Sequence, residues 1–284
     1  MQAIVAGTGY TGARILAALA GSVGINRQSP ADVEPQDFFV RDLDQDSVAA
    51  IVLNEPGAMI YSIPPAVEPA SKTRLERLLD SIRPELQRVV YLSTTGVYGD
   101  QQGKLTDETT ELSPANARAK RRLADEQRLL EYGNKHDCDI IILRVPGIYG
   151  PGRLGVDRIQ SGTVFIDESD AHPGNRIHVE DLVRLSIAAL NPSTPAGIYN
   201  VGDGDHRSSI AFATTVAKLA GLDPPKTVSR KTANETFSEI RLSFLRESRI
   251  LDTTKMLEVL GKPRHSNSAD GIRASLIEDG LLSD

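Results

Sequence analysis

The segment QAIVAGTGYTGARILAALA, residues 2–20, indicates how this chain folds. A short apolar run leads into Gly7, Gly9 and Gly12, and a stretch with helical spacing follows. In a strand–turn–helix unit, one glycine forms the turn, one lets the backbone approach a pyrophosphate, and one lets the helix pack closely on the strand. The free N–H groups at the helix N-terminus would then face the phosphates. The alternative is an ordinary glycine-rich turn without a ligand.

Apolar runs and helical patterns alternate along the following part of the chain. Continuous apolar strands that alternate with helices are typical of a parallel sheet covered on both faces. We therefore predict a Rossmann-type, doubly wound α/β fold. The further predicted strands are VGIN (23–26), DFFVRDL (37–43), AMIYSIP (58–64), RVVYLST (88–94) and DIIILRVPG (139–147). The predicted helices include QDSVAAIVL (45–53) and SKTRLERLLDSI (71–82), the latter with Ser71 as its N-cap.

A change in composition near residue 150 indicates a second unit, because glycine, proline and charged residues become more frequent there. Residues 1–150 are predicted to form the NAD(P)-binding domain and residues 151–284 mainly a small substrate-binding lobe. The chain is expected to return to the first domain at about residues 177–204. Residues 224–247 are expected to form a surface segment. Later predicted helices are VEDLVRLSIAAL (179–190), SIAFATTVAKLAGL (209–222), RILDTTKMLEVLG (249–261) and SADGIRASLIEDG (268–280).

The composition argues against several classes of protein. The net charge is −6 with a pI of about 5.5, which argues against nucleic acid as a partner. Cys138 is the single cysteine, so no internal disulfide and no metal site is expected, and a cytoplasmic location fits. No apolar run reaches the ~20 residues that span a bilayer. The chain enters a strand at its first residues, so neither a signal peptide nor a membrane partner is expected.

The end of the second predicted strand bears on the choice of dinucleotide. An NAD site usually places an acidic residue there to bind the ribose hydroxyls. In this chain Asn26 stands at that place and Arg27 follows it. A neutral residue beside a guanidinium group suits a 2′-phosphate, because arginine forms bidentate, charge-assisted pairs with phosphate. We therefore predict NADP rather than NAD. The alternative is that Arg27 is a solvated surface charge.

Five further motifs resemble the short-chain dehydrogenase/reductase family, in its extended branch of NAD(P)-dependent nucleotide-sugar epimerases and dehydratases. They occur in the order and at the spacing of that branch and cover most of the chain. They are VVYLSTTGVYGD (89–100), DETTELSP (107–114), LRVPGIYGPGR (143–153), RIHVEDLVRLSIAAL (176–190) and GIYNVGDG (197–204). The resemblance supports the fold more strongly than any one reaction.

The resemblance implies a set of cofactor contacts at matching positions. Thr94 falls where the family keeps a catalytic serine or threonine that hydrogen-bonds the reacting oxygen. The pyrophosphate would be held by Gly7, Thr8, Gly9, Tyr10, Thr11 and Gly12. The adenine and its ribose would lie beside Asp42, Leu43, Ser62 and Ile63, and the nicotinamide beside Val145, Pro146 and Gly147.

The segment SPANARAKRRLADEQRLLE, residues 113–131, departs from the family pattern. Counting back from Glu126, the family's active-site lysine falls at Arg122 and its tyrosine at Arg118. Residues four apart share a helix face, so both could point to the site. Arginine stays charged and has no lone pair that accepts a proton, so Arg118 cannot replace the phenol as acid or base. It could instead clamp a phosphate or carboxylate. The alternative is that both arginines belong to a solvated charged face.

His178 is a second candidate for proton transfer, because its unperturbed pKa lies near neutrality and its family counterpart lies near the substrate. The alternative is a structural histidine at a strand end. Tyr98 and Tyr149, within the family's two turn motifs, are predicted to be packing residues.

Two functions of different classes agree with these features. The first is an NADP-dependent oxidoreductase or nucleotide-sugar epimerase/dehydratase-like enzyme with an atypical active site. The second is a non-catalytic NADP(H)-binding protein that reports the redox state of the cofactor. A small-molecule substrate is expected, with an anionic compound among the options, and a homodimer is one option for the assembly.

Overall fold

A parallel sheet of seven strands forms the centre of the computed structural model, which describes residues 3–28, 38–45, 48–53, 57–68 and 70–283. The strands of this sheet are β1 (Ala3–Ala6), β2 (Val23–Asn26), β3 (Phe38–Val40), β5 (Ala58–Tyr61), β7 (Arg88–Leu92), β9 (Asp139–Arg144) and β13 (Gly197–Asn200). Their order is β13-β9-β7-β5-β1-β2-β3, and all neighbouring pairs are parallel. The predicted Rossmann-type fold is confirmed.

Short two-stranded ladders and helices surround this sheet. The remaining strands are β4 (Ile51–Val52), β6 (Ile82–Arg83), β8 (Leu105–Thr106), β10 (Gly147–Tyr149), β11 (Phe165–Ile166), β12 (Arg176–His178), β14 (Thr227–Val228) and β15 (Ile250–Leu251). The helices are α1 (Tyr10–Ala18), α2 (Arg74–Ser81), α3 (Ala117–His136), α4 (Val156–Gln160), α5 (Val179–Ala188), α6 (Ser209–Leu219), α7 (Arg230–Thr236), α8 (Glu239–Leu245), α9 (Thr254–Val259) and α10 (Ser268–Glu278). No helix in the described ranges is long and apolar enough to cross a membrane.

The sheet buries both of its faces, which explains why its strands are continuously apolar. In β1, Ile4 and Ala6 belong to one hydrophobic cluster, whereas Val5 between them belongs to the cluster on the opposite face. Successive side chains of a strand point to opposite faces, so both faces need apolar residues when helices cover both. A separate cluster in the C-terminal half joins α4, α6 and α10 through residues such as Ile159, Val216 and Ile272.

Two helices predicted in the N-terminal half differ from the structure. The described part of the predicted helix 45–53 contains the strand β4, which pairs with β6, while residues 46–47 lie outside the described residues. Arg41 accounts for this, because its guanidinium donates to the carbonyl groups of Ala49 and Ala50 and holds them in a non-helical loop. Helix α2 begins after Thr73 rather than Ser71, because Thr73 and Glu76 form a capping box.

One C-terminal prediction also needs correction. The predicted helix 249–261 is divided, because residues 250–251 form β15 and pair with β8, so that only α9 is helical. The segment 224–247, expected at the surface, has mostly exposed or half-buried side chains where they are described, and it contains β14, α7 and α8. Ser229 and Ser238 cap the two helices by accepting from the backbone N–H groups of Thr232 and Arg241. These caps bring arginine side chains to a cavity described below.

Candidate active site

The glycine turn between β1 and α1 has the geometry of a phosphate-binding site. Gly7 has φ +91° and donates its N–H to Ile25 O at 2.8 Å. A Cβ on Gly12 would lie 1.8 Å from Gly7 O, so this glycine lets α1 pack against the turn. A Cβ on Gly9 would meet nothing within 4 Å and would stand in open space. No side chain caps α1 at Gly9, so its first N–H groups are free to bind an anion.

A cleft of about 440 Å³ opens over this turn. Thr8 is buried beneath it, and Pro146 and Gly147 line a neighbouring cavity instead. The other predicted cofactor-binding residues all line the cleft: Gly7, Gly9, Tyr10, Thr11, Gly12, Asn26, Arg27, Asp42, Leu43, Ser62, Ile63 and Val145. The cleft therefore combines a glycine turn and a helix N-terminus with the open space that a pyrophosphate would occupy.

The end of β2 presents an amide to this cleft. Asn26 is the last residue of the strand, and its Nδ2 donates to Thr8 Oγ1 at 3.0 Å. Its Oδ1 accepts the backbone N–H of Arg27 at 2.8 Å. The side chain of Arg27 is exposed and lines the cleft. Thus an amide and a guanidinium stand at the strand end where an NAD site would carry a carboxylate.

Positive charge is concentrated at the same end of the cleft. Arg41 and Arg74 line it together with Arg27, although the motifs had not singled them out. Arg74 pairs with Asp44 at 2.5 Å, whereas Arg41 donates to backbone carbonyl groups of its own loop. The pKa of Asp42 is lowered, chiefly by the hydrogen bond from the Asp44 backbone N–H and with a contribution from Arg27. Asp42 is therefore ionised at neutral pH.

Arg153 also lines the cleft and was not among the residues predicted from the sequence. Its guanidinium carbon lies 3.8 Å from the centroid of the Tyr10 ring, and both residues line the cleft. The hydroxyl of Tyr10 donates to Pro151 O at 2.9 Å. Because this contact joins segments 141 residues apart, no local pattern could have indicated it.

The position of the family's lysine, Arg122, does reach the cleft. Its Nη1 donates to Leu92 O at 2.9 Å and to the Tyr91 hydroxyl at 3.2 Å, which fastens the guanidinium to the end of β7. Burial raises the pKa of Tyr91, so this phenol stays protonated and is a poor base. Arg122 therefore places a permanent positive charge beside Ser93.

Thr94 and Arg118 lie together in a different cavity, of about 290 Å³, next to the end of β7. Thr94 caps the 3₁₀ turn Thr95–Tyr98, and its Oγ1 accepts the Gly96 backbone N–H at 3.2 Å. The hydroxyl hydrogen is therefore left for another acceptor. Arg118 is largely exposed to solvent and lines the same cavity as Thr94. The predicted pair of arginines thus divides between two neighbouring cavities.

A larger cavity, of about 610 Å³, shares Pro146, Gly147, Glu247 and Arg249 with the Thr94 cavity. Among the described arginines of this cavity, Arg249 is the only one whose guanidinium pairs with a carboxylate, that of Glu247 at 2.9 Å. The others donate to backbone carbonyl groups or face an aromatic ring. Its arginines come from several elements, and the sequence analysis singled out none of them as a site residue: Arg158, Arg176, Arg230, Arg241 and Arg249.

His178 lies away from these cavities as far as the described residues show. It is buried, and its Nε2 lies 3.0 Å from Ser275 Oγ. Burial is the main reason that its pKa falls to about 4, with a contribution from His265. Tyr98 is buried too and donates to Asn200 Oδ1 at 2.7 Å, while Tyr149 packs edge-on against the His178 ring. The geometry therefore brings Thr94 and Arg118 together but leaves His178 apart.

Comparisons with known proteins point to the same type of fold as the glycine turn and the strand order of the sheet. The model of the NAD dependent epimerase/dehydratase family matches residues 3–202. The chain belongs to this family. This membership confirms the predicted resemblance to extended short-chain dehydrogenases/reductases. A nicotinamide dinucleotide is thus the cofactor class of this protein.

Several relatives of this epimerase/dehydratase-family chain are known. Protein YeeZ of Escherichia coli K12 is 31% identical over 153 residues, which cover 54% of this chain and 53% of YeeZ. A UDP-glucose 4-epimerase of Mycolicibacterium smegmatis is 31% identical over 202 residues, 66% of this chain and 60% of the epimerase. The match thus spans little more than half of these relatives. A solved structure of a functionally unknown conserved protein from Silicibacter pomeroyi DSS has 25% identity, a TM-score of 0.76 and 98% coverage of both chains.

Proposed function

We propose that this protein is an NADP(H)-dependent enzyme of the epimerase/dehydratase type that acts on an anionic small molecule of the nucleotide-sugar class. The observation that carries the proposal is the shared wall between the Thr94 cavity and the arginine-lined cavity. A reacting oxygen can lie at Thr94 while an anionic group binds the arginines. The UDP-glucose 4-epimerase among the relatives supports a nucleotide sugar as the substrate class.

The residues of the cleft fit the cofactor. The glycine turn and the free N–H groups of α1 would hold its pyrophosphate, and Val145 and Ser93 would border the reactive ring. When bound, the nicotinamide supplies or accepts a hydride. Thr94 donates a hydrogen bond to the substrate oxygen, and Arg118 stabilises negative charge that develops there. Because Arg118 accepts no proton, the substrate proton leaves to water through the open mouth of this cavity.

A non-catalytic cofactor-binding protein is the second candidate. The observation that favours it is Arg118 itself, which occupies the position of the phenol that performs proton transfer in the family. The two candidates differ in one measurable property, since only the enzyme converts a substrate while the cofactor is bound. Both require the dinucleotide cleft.

The ratio of the affinities for NADPH and NADH tests whether Arg27 binds the 2′-phosphate. NADPH is expected to bind on the order of 10-fold more tightly than NADH, since an arginine–phosphate pair contributes about 1–3 kcal/mol. Arg27→Ala should reduce this ratio while leaving NADH binding nearly unchanged, whereas Arg273→Ala, on α10, should alter neither affinity. Calorimetric titration of both cofactors measures the ratio. Equal affinities for the wild-type protein would contradict the assignment.

Thr94→Val tests the proposed reaction centre. The variant is expected to lose turnover by about 10²–10³-fold, because removal of one oxyanion donor costs that much in other enzymes. Turnover is measured by chromatography of nucleoside-diphosphate sugars incubated with protein and NADP⁺ or NADPH. Thr94→Ser keeps the hydroxyl and should retain most of the activity. No conversion by the wild-type protein, with cofactor bound, would favour the non-catalytic candidate.

A further inference from the structure

Three potential metal ligands converge at the start of α5, apart from the cavities described above. The His265 Nε2 atom lies 3.1 Å from Glu180 Oε2, and His178 Nδ1 lies 4.0 Å from the same oxygen. The candidate ligand atoms of all three residues lie within 4.8 Å of one another. The two imidazole rings have centroids 4.1 Å apart. A small shift of the exposed Glu180 side chain would bring all three atoms around one ion.

The hydrogen bonds of His178 determine that the ring nitrogen on the side of Glu180 is the one that carries the lone pair. Ser275 Oγ donates to Gly271 O at 2.7 Å, so it accepts the hydrogen of His178 Nε2 at 3.0 Å. Nδ1 is then the unprotonated nitrogen, and it accepts only a long bond, 3.3 Å, from the Glu180 backbone N–H. A histidine that binds a metal ion through one ring nitrogen typically donates the N–H of the other ring nitrogen to a hydrogen-bond acceptor.

The second histidine is held in place by a buried carboxylate. Asp181 is fully buried and accepts the backbone N–H groups of Arg264 at 2.6 Å and His265 at 2.9 Å. Arg184 pairs with the same carboxylate at 3.4 Å. These bonds join the segment before α10 to the first turn of α5. The distance between the two histidines is thus set by the fold before any ion binds.

We propose that His178, Glu180 and His265 bind a divalent transition-metal ion, for which zinc is the best fit. Two imidazoles and one carboxylate, with a fourth position open to water, are a common zinc donor set. Because the ligands belong to α5 and to the segment before α10, the ion cross-links these two parts of the chain. The sequence predicted no metal site, since two of the ligands are separated by 87 positions (265 − 178) and only the fold unites them.

Binding of Zn²⁺ to tag-free protein, measured by calorimetry, tests this site, and the visible absorption of added Co²⁺ reports its coordination. One ion per chain is expected. His265→Ala and Glu180→Gln should each weaken Zn²⁺ binding on the order of 100-fold. The Glu180 side chain is exposed, so Glu180→Gln should fold normally in the absence of metal.

His136→Ala is the matched control, because His136 and Glu85 form another histidine–glutamate pair at 3.0 Å but have no third ligand among the residues that the structure describes. It should bind Zn²⁺ as the wild-type protein does. Saturating Zn²⁺ should raise the Tm of the wild-type and His136→Ala proteins and leave that of the two ligand variants nearly unchanged. Equal Zn²⁺ affinity in the wild-type and His265→Ala proteins, or loss of binding in His136→Ala, would overturn the proposal.

Discussion

Gly9→Val is expected to weaken binding of NADPH and NADH by on the order of 100-fold or more while leaving the folded chain intact. A Cβ at Gly9 would meet no protein atom within 4 Å, so the valine causes no clash in the free protein. It would project into the cleft over the α1 N-terminus, where the pyrophosphate must approach the backbone. Calorimetric titration measures the loss of binding, and thermal unfolding should show a nearly unchanged Tm.

Two neighbouring substitutions make this result specific. Gly9→Ala adds a smaller group and should give an intermediate loss of affinity. Gly12→Ala, by contrast, would place its Cβ 1.8 Å from Gly7 O, so the turn must shift and the Tm should fall. Normal dinucleotide binding by Gly9→Val would show that the glycine turn is not the phosphate site. A collapse of its Tm equal to that of Gly12→Ala would show that the position is structural.

The fold was accessible from the sequence because its signals are local. The strands are continuous apolar runs whose residues alternate between the two hydrophobic clusters, as in β1. The glycine turn lies within six residues, Gly7 to Gly12, so its spacing alone indicated a phosphate site. The count back from Glu126 indicated Arg122 through helical spacing, and Arg122 lines the cleft.

The rest of the site depends on contacts between distant segments. Arg153 meets Tyr10, and the arginines of the large cavity come from positions between 158 and 249. Arg41 donates to the carbonyl groups of Ala49 and Ala50, a side-chain contact that the helical pattern of this segment does not indicate. The helix and strand propensities of single residues contain none of this information, since tertiary structure brings the contacting groups together.

A buried network behind the end of β7 supports the proposed reaction centre. Glu126 and Arg144 form an ion pair at 2.8 Å, and each side chain is 2% exposed. Ser93 donates a short hydrogen bond to Glu126 from the strand end that precedes Thr94. The guanidinium of Arg144 also lies over the Tyr98 ring, 4.8 Å from its centroid. The network therefore links α3, β7 and β9 and fixes the backbone that carries Thr94.

Arg144→Ala is expected to lower the free energy of unfolding by about 3–5 kcal/mol, because it leaves the Glu126 carboxylate buried without its partner. Urea denaturation measures this loss. Arg246→Ala is the matched surface control, since Arg246 pairs with Glu239 at 3.1 Å but both side chains are mostly exposed. Its cost should stay below about 1 kcal/mol.

The double variant Arg144→Met with Glu126→Leu separates the charge effect from lost packing. Replacing a whole buried ion pair with apolar groups of similar volume is often close to neutral, so the double variant should recover most of the stability that Arg144→Ala loses. Its Ser93 hydroxyl would nevertheless lose its carboxylate acceptor. The backbone at Thr94 should then be held less firmly. Turnover should therefore stay below the wild-type value even though most of the stability is recovered. A double variant as unstable as Arg144→Ala would show that packing of the guanidinium, rather than its charge, stabilises this region.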